Sequence, residues 1–247
     1  MILGLIYMKT EKLVPSPRPE RDSQPQSWFQ RHRLGLREFG FEHVLRVLCW
    51  HLPSGLFNYN HAIMFVTDNL CLDIRSNPDY RVRLATKEDA NAMGDVDIDS
   101  ETFLMRLRRG DTSAVVTRGE RLVCINWASI HRVFSPLTGS ILDPGADGVY
   151  FYNLFTPPVE RGRGLTRLIY KIQAEHHRAQ GRNTVYAGVE IYNTISIILH
   201  ERFGFRRAGE TVKVTFLGVN ICWYKSWPHP TRKFHVYFRM PTDIEWA

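Results

Sequence analysis

One stretch of the chain, residues 149–171, changes character halfway along. Its first residues are aromatic or apolar and lack helix formers, which predicts a strand that Pro157 and Pro158 end. Apolar residues then recur at helical spacing, so we expect a helix that begins near Gly164 and ends at Gly181. The first amides of a helix have no intrahelical partner, so this turn is suited to bind an anionic group such as a diphosphate.

The residues of the turn fit that interpretation without proving it. Gly162 and Gly164 let the backbone approach a ligand closely, and Arg161 and Arg163 add positive charge. The alternative is an ordinary connection between a strand and a helix. The turn lacks the third glycine of the dinucleotide fingerprint, and no Gly-Lys-Ser/Thr closes it as in a P-loop.

Two segments resemble the motifs of one superfamily. Residues 161–166 resemble the Arg/Gln-x-x-Gly-x-Gly/Ala signature of the GNAT superfamily of acyl-CoA-dependent N-acyltransferases, with Thr166 in place of a small residue. Residues 193–205 are similar to its second cofactor motif, Asn-x-x-Ala-x-x-Leu-Tyr-x-x-x-Gly-Phe, with Ser196 at the usual Ala and His200 at the usual Tyr. The motifs stand in the family's order, and the resemblance covers about residues 80–225.

The resemblance implies an α/β (α+β) fold, with a mixed central sheet of about six to seven strands flanked by helices. Hydrophobic patterns predict a hairpin at residues 112–133 and a parallel strand–helix–strand unit that ends in a strand at residues 184–191. A second hairpin is expected at residues 211–224. Residues 135–148, with prolines and glycines, are expected to form a loop.

We expect three parts along the chain: a proline-rich flexible leader at residues 1–27, a mostly helical N-terminal extension at 28–79 and the acyltransferase domain at 80–247. A helix should end near His51, whereas residues 62–67 fit either a strand or a short helix. Basic residues accompany the apolar ones in the extension. They suit a surface that docks on a membrane or a partner, or a helix packed on the main domain.

Composition limits the partners. The net charge of +7 suits an anionic ligand, an acidic protein surface or nucleic acid, but the chain has no recognisable nucleic-acid motif. The four cysteines form no C-x-x-C pair, which indicates neither zinc nor a disulfide framework and fits the reducing cytoplasm. Since no apolar run is long enough for a membrane span, we expect a cytoplasmic protein without a transmembrane segment or metal.

The resemblance implies that acetyl-CoA or another acyl-CoA is the co-substrate. Its pantetheine arm would lie between two strands that splay apart, with its diphosphate on the glycine-bearing turn. The residues so implied in cofactor binding are Leu154, Phe155, Thr156, Arg161, Gly162, Arg163, Gly164, Leu165, Thr166, Asn193 and Ser196.

The implied reaction is direct attack of a primary amine on the thioester through a tetrahedral intermediate. His200 stands where a Tyr protonates the leaving thiolate, and histidine can donate a proton near neutral pH. The alternative is that His200 serves packing and water protonates the sulfur. Glu190 is a candidate base, or a solvated carboxylate at a strand end. Tyr152 and Asn153 are expected to face the acceptor.

Other functions stay open at this point. The same fold could use acyl carrier protein or a long-chain acyl-CoA as donor, or it could be a non-catalytic acyl-CoA-binding module. The acceptor is expected to be a small-molecule or peptide amine, and the chain a monomer or homodimer. His176 and His177 are expected at the surface, because adjacent helical positions do not face one ligand.

Overall fold

The structure, a computed structural model, describes residues 33, 36–37, 39–52, 56–70, 72, 78–96, 98–135, 137–225 and 234–237. The leader expected at residues 1–27 lies outside these ranges. Within them, no helix has the length and apolar character needed to cross a membrane.

The described residues form strands and helices that alternate along the chain. The strands are β1 (Phe57–Thr67), β2 (Arg81–Leu84), β3 (Thr112–Arg118), β4 (Arg121–Ser129), β5 (Val133–Ser135), β6 (Ser140–Leu142), β7 (Gly148–Phe155), β8 (Thr184–Glu190), β9 (Arg206–Phe216), β10 (Val219–Lys225) and β11 (Phe234–Tyr237). The α-helices are α1 (Phe41–His51), α2 (Ser100–Arg108), α3 (Leu165–Arg178) and α4 (Thr194–Arg202), and 3₁₀ helices lie at Lys87–Asp95 and Pro158–Glu160.

Nine of the described strands form one mixed sheet in the order β11-β10-β9-β1-β8-β7-β4-β3-β2. Among the described strands only β7 and β8 pair in parallel, and they are joined by α3, as the strand–helix–strand pattern predicted. The predicted class, a mixed sheet flanked by helices, is confirmed. The sheet has more strands than the expected six to seven, because strands near both ends of the described chain join it.

The N-terminal strand β1 lies in the middle of this sheet. It pairs antiparallel with β8 on one edge and with β9 on the other. Residues 61–67 are all buried, and a strand buried on both faces has no alternating pattern to distinguish it from a helix. The sheet therefore runs across the domain boundary expected at residue 80, and residues 57–67 are a strand within the main domain rather than part of a helical extension.

A short hairpin replaces part of the loop that was expected at residues 135–148. Strands β5 and β6 pair antiparallel, and Val133 and Leu142 pack with Met64 and Tyr186 in a buried cluster. The expectation was wrong because three-residue strands are too short to show alternation among prolines and glycines.

Helix α3 covers the other face of the sheet, mainly over β2, β3 and β4, and its core residues also share a cluster with residues of β7 and β8. Its residues Leu165, Ile169 and Tyr170 are buried in the largest core cluster, together with Phe151 and Ala187 from the two strands. The apolar residues recur every three to four positions, which places them on one face of the helix. This packing fixes the N-terminus of α3 beside the ends of the parallel strands.

Candidate functional site

The parallel strands β7 and β8 separate before they end. Their pairing runs from Gly148 with Thr184 to Phe151 with Ala187. Strand β7 continues to Phe155 and β8 to Glu190 without further mutual pairing among the described residues. The splay that the resemblance implied is therefore present, and backbone groups on the facing edges are open to an extended ligand.

A β-bulge lies in β7 at the start of this separation. Ile125 of β4 pairs with Phe155 and Trp127 pairs with Tyr152, so β7 has one residue more than β4 over this stretch. Asn153 has a φ of 48°, in the left-handed region that residues other than glycine rarely adopt. Bulges redirect backbone and side-chain groups and are frequent beside active sites.

Arg106 of α2 supports the bulge. When the Asn153 amide is oriented with its oxygen toward the guanidinium, it accepts hydrogen bonds of 2.9 and 2.8 Å from Arg106 Nη1 and Nη2. The guanidinium carbon also lies 5.3 Å from the ring centres of Trp127 and Tyr152. The acceptor-facing role expected for Asn153 stays a prediction, and its exposed side chain is held by the guanidinium of the buried Arg106.

Tyr152, the residue before Asn153, is held by Arg109 and Asp111. Its hydroxyl donates to Asp111 Oδ2 at 2.8 Å and accepts from Arg109 Nη2 at 3.3 Å, and Arg109 forms an ion pair with Asp111. Burial and the Asp111 charge raise the Tyr152 pKa well above its ordinary value, so the hydroxyl stays protonated. Arg106 and Arg109 were not predicted from the sequence. The feature that could have indicated them is a pair of arginines three residues apart at the C-terminal end of an amphipathic helix.

The turn before α3 has the conformation that its glycines allow. Gly162 and Gly164 have φ values of 76° and 77°, where a side chain would be strained. Gly164 is the N-cap residue of α3, and no side chain caps the helix. The first amides of α3 are thus left for a ligand, and Leu165 and Thr166 form the first helical turn.

The two arginines of this turn are held by internal contacts. Arg161 Nε donates to the Thr156 carbonyl at 3.0 Å, and Arg163 Nε lies 3.2 Å from Glu160 Oε2. The buried Glu160 also accepts from the Tyr80 hydroxyl at 2.8 Å and from Arg118 at 3.1 Å. These hydrogen bonds lower the Glu160 pKa, so a carboxylate anchors the turn to Tyr80, just before β2, and to the end of β3.

The end of β7 leads directly into that turn. Leu154, Phe155 and Thr156 are all half-buried. Thr156 Oγ1 lies 3.0 Å from the buried Cys124 Sγ, which fixes its side chain. Leu154 and Phe155 lie on the separated part of β7 and Thr156 directly follows it, where the resemblance implied residues beside a pantetheine arm.

Across the separation, Asn193 begins α4. Its side-chain oxygen accepts a hydrogen bond of 3.1 Å from the Ser196 amide, which makes it the N-cap of the helix. The capping role uses only the oxygen, so the NH₂ group of the same side chain can still donate to a ligand. Asn193 follows the end of β8 by three residues.

His200 is enclosed by aromatic rings. It is 3% exposed and contacts the rings of Phe65, Tyr170 and Phe205. Nδ1 donates to the Ser196 carbonyl at 2.7 Å, and the Tyr170 hydroxyl lies 3.0 Å from Nε2. Burial lowers the pKa of the ring. These contacts favour the packing role over the general-acid role, since both ring nitrogens are engaged.

Glu190, the candidate base, ends β8. It is half-buried and pairs with Ala62 of β1. Burial raises its pKa, although the charge of Arg46 opposes this effect. Its surroundings differ from those of a fully solvated strand-end carboxylate, and its role as a base stays a prediction.

The structure places His177 in the core, whereas the sequence predicted a surface position. It is 1% exposed, and its Nε2 lies 2.9 Å from Thr112 Oγ1. Burial lowers its pKa to about 4. It is therefore a core residue of α3 rather than a surface residue. Among the described residues, no group of three or more His, Cys, Asp or Glu side chains is placed to hold a metal ion.

Comparison with solved structures finds acetyltransferases. The chain is similar to a GNAT-family acetyltransferase from Colwellia psychrerythraea (14% identity, 78% of this chain and 75% of that one, TM-score 0.46). It is also similar to an N-acetyltransferase from Staphylococcus aureus Mu50 (21%, 55% and 87%, TM-score 0.43) and to a protein from Drosophila (18%, 71% and 57%, TM-score 0.46).

Two of these three solved structures carry the name acetyltransferase. The chain spans 57% of the length of the Drosophila protein. No protein-family model matches the sequence, and no curated protein matches it.

Proposed function

We propose that this protein transfers an acyl group from an acyl-CoA to a primary amine. Acetyl-CoA is the expected donor. The observation that carries the proposal is the separation of β7 and β8 beyond Phe151 and Ala187, next to the uncapped N-terminus of α3. A pantetheine arm has amides that can pair with the free edge of β7, and its diphosphate suits helix amides. The donor alternatives, acyl carrier protein and long-chain acyl-CoA, use the same separation.

The chemistry needs little beyond positioning. The amine nitrogen attacks the thioester carbon, the tetrahedral oxyanion collapses, the carbon–sulfur bond breaks and CoA leaves as a thiolate that takes a proton. Holding the reactants together supplies several kcal/mol of the barrier. A backbone amide at the β7 bulge, beside Asn153 and Leu154, is suited to donate to the oxyanion. A half-buried carboxylate with a raised pKa, as at Glu190, suits a base.

Acetyl-CoA binding tests this proposal. We expect micromolar-range binding by isothermal titration calorimetry, and release of thiol when amines are added. Asn193→Asp keeps the oxygen that caps α4 but loses the NH₂ donors, so it should weaken acetyl-CoA binding about tenfold, the loss of one well-made hydrogen bond, without lowering stability. Asn193→Ala should lose both, with stability falling by about 1 kcal/mol.

Two results would contradict the proposal. One is a wild-type protein that shows no heat of binding and no rise in melting temperature with acetyl-CoA. The other is binding without thiol release for any amine or acyl chain length, which would favour the non-catalytic module.

A further inference from the structure

A polar cluster joins α1 to the centre of the sheet. His61 of β1 is buried, with 9% of its side chain exposed, and lies between two carboxylates. Its Nδ1 lies 3.0 Å from Glu42 Oε1 of α1, and its Nε2 lies 3.5 Å from Glu210 Oε2 of β9. Both glutamates are about one-third exposed, at 33% and 37%.

The two ring nitrogens of His61 differ in their bonding. Glu42 accepts from Nδ1–H, which fixes the proton of a neutral ring on that nitrogen and leaves a lone pair on Nε2. Nε2 is buried and makes no hydrogen bond within the described part of the chain, although Glu210 faces it. In the tautomer with its proton on Nδ1, Nε2 and the Glu210 carboxylate are two facing acceptors, which a donor can bridge. A protonated amine is a donor of the right charge.

The cluster lies at the end of the sheet where β8 leaves it. The Ile191 amide donates to the His61 carbonyl at 2.9 Å, directly after Glu190. The Tyr192 hydroxyl donates to the Glu42 carbonyl at 3.1 Å. Tyr192 immediately precedes Asn193, the residue proposed to hold the pantetheine arm. The cluster is thus joined through two hydrogen bonds to the loop that borders the cofactor.

We propose that His61, Glu42 and Glu210 form the acceptor site for an alkylammonium substrate. This inference rests on the proposed acyl transfer. Glu210 attracts the ammonium, and its partial exposure lets the side chain move aside as the amine reaches Nε2. His61 Nε2 takes one proton from the ammonium. The free amine nitrogen bonds to the thioester carbon, the carbon–sulfur bond breaks, the second nitrogen proton passes to the thiolate, and His61 releases its proton to water.

The position of the cluster explains why sequence reasoning missed it. His61 is the first residue of the buried run of β1, which the sequence pattern did not assign to a strand or a helix. Glu42 and Glu210 are more than 160 residues apart and meet only because β1 lies beside β9 and beneath α1. The two carboxylates and the imidazole therefore have no short sequence spacing by which a motif could have indicated the site.

The test uses 1,4-diaminobutane as acceptor and acetyl-CoA as donor, with thiol release and calorimetry as readouts. His61→Gln should lower kcat about 100-fold, the usual worth of a general base. Glu210→Gln should raise the KM for 1,4-diaminobutane about tenfold with a smaller change in kcat, since it removes attraction rather than the base. Acetyl-CoA affinity should stay within about twofold in both.

Matched variants separate this proposal from a purely structural role. Glu120→Gln, in the exposed β3–β4 turn, removes the same charge elsewhere and should change neither constant. Glu190→Gln tests the competing base, and its kcat is compared directly with that of His61→Gln. If His61 and Glu42 only dock α1, His61→Gln will lower the melting temperature while kcat stays at the wild-type value, which overturns the proposal.

The remaining outcomes also decide it. Loss of activity in Glu190→Gln instead of His61→Gln would assign the base to β8. Should His61→Gln fail to fold, Glu210→Gln still tests the site, and an unchanged KM there refutes it. A wild type that binds acetyl-CoA but does not acetylate 1,4-diaminobutane refutes this inference alone, whereas a wild type that does not bind acetyl-CoA refutes the proposed function.

Discussion

At the scale of single residues, buried polar groups define how this protein responds to pH. His177 is in the core, where its Nε2 lies against the Thr112 hydroxyl, and burial lowers its pKa to about 4. The unfolded chain has no such burial, so its histidine titrates near 6.5. Between these values the unfolded chain binds a proton that the native protein does not.

This difference predicts a loss of stability in acid. The contribution of neutral His177 is fully present above about pH 6.5 and is lost as the pH falls toward 4, by up to about 3 kcal/mol. Urea denaturation at pH 7.5 and at pH 4.5 measures it. His177→Gln retains a donor for Thr112 without a titrating ring, so it should lose less stability between the two pH values. Equal losses in the two proteins would contradict the expectation.

The sequence located several site residues but not their partners. The turn at residues 161–166 and Asn193 could be found because each lies in a local motif. Arg106 reaches Asn153, and Glu42 reaches His61, only through the folded sheet. His200 could be placed on its helix, but its burial among Phe65, Tyr170 and Phe205 depends on three other elements.

At the scale of elements, the junction of β7 and α3 is the part that the proposed function depends on most. Gly162 and Gly164 both have positive φ, and a Cβ at either would meet no atom within 4 Å. The need for glycine is therefore conformational and not steric. A side chain at Gly164 would favour a different backbone angle and turn the first amides of α3 away from the separation.

Gly164→Ala tests this element. We expect a loss of about 1 kcal/mol in stability, from left-handed strain, and acetyl-CoA binding weakened about tenfold or more. The matched control is Gly119→Ala in the β3–β4 turn, where φ is 60° and a Cβ would again meet nothing within 4 Å. It should lose similar stability with unchanged affinity by calorimetry. Equal affinities of the two variants for acetyl-CoA would contradict the assignment of the turn.

Element types followed from the sequence where periodicity was clear. The apolar face of α3, and the β-branched and aromatic residues of β3 and β4 around a turn, predicted those elements closely. The pattern could not decide β1, because a strand buried on both faces has the continuous apolar run of a buried helix. It missed β5 and β6 because their pairing is stabilised by tertiary contacts with Met64 and Tyr186.

At the scale of the whole molecule, β1 joins the two halves of the sheet. It lies between β8, which borders the separation, and β9, which begins the C-terminal hairpin. Without it, two long strand edges would be exposed and Ile63, Met64 and Phe65 would be missing from the core. Residues 57–67 are thus part of the fold that positions the site.

Fragments test this role of β1. We expect residues 80–247 alone to show no cooperative unfolding transition and no acetyl-CoA binding, whereas residues 33–247 should keep both. Thermal denaturation followed by circular dichroism measures the transition. A fragment 80–247 that unfolds cooperatively and binds acetyl-CoA like the full chain would show that β1 is dispensable.

The central claim is that the separated ends of β7 and β8 hold an acyl-CoA. A crystal structure of the full chain with acetyl-CoA tests it most directly. We expect the diphosphate within about 3 Å of backbone amides at residues 162–166, and the pantetheine arm along residues 154–156 between the two strands. A coenzyme bound elsewhere on the protein, or strands that close together and exclude it, would contradict the claim.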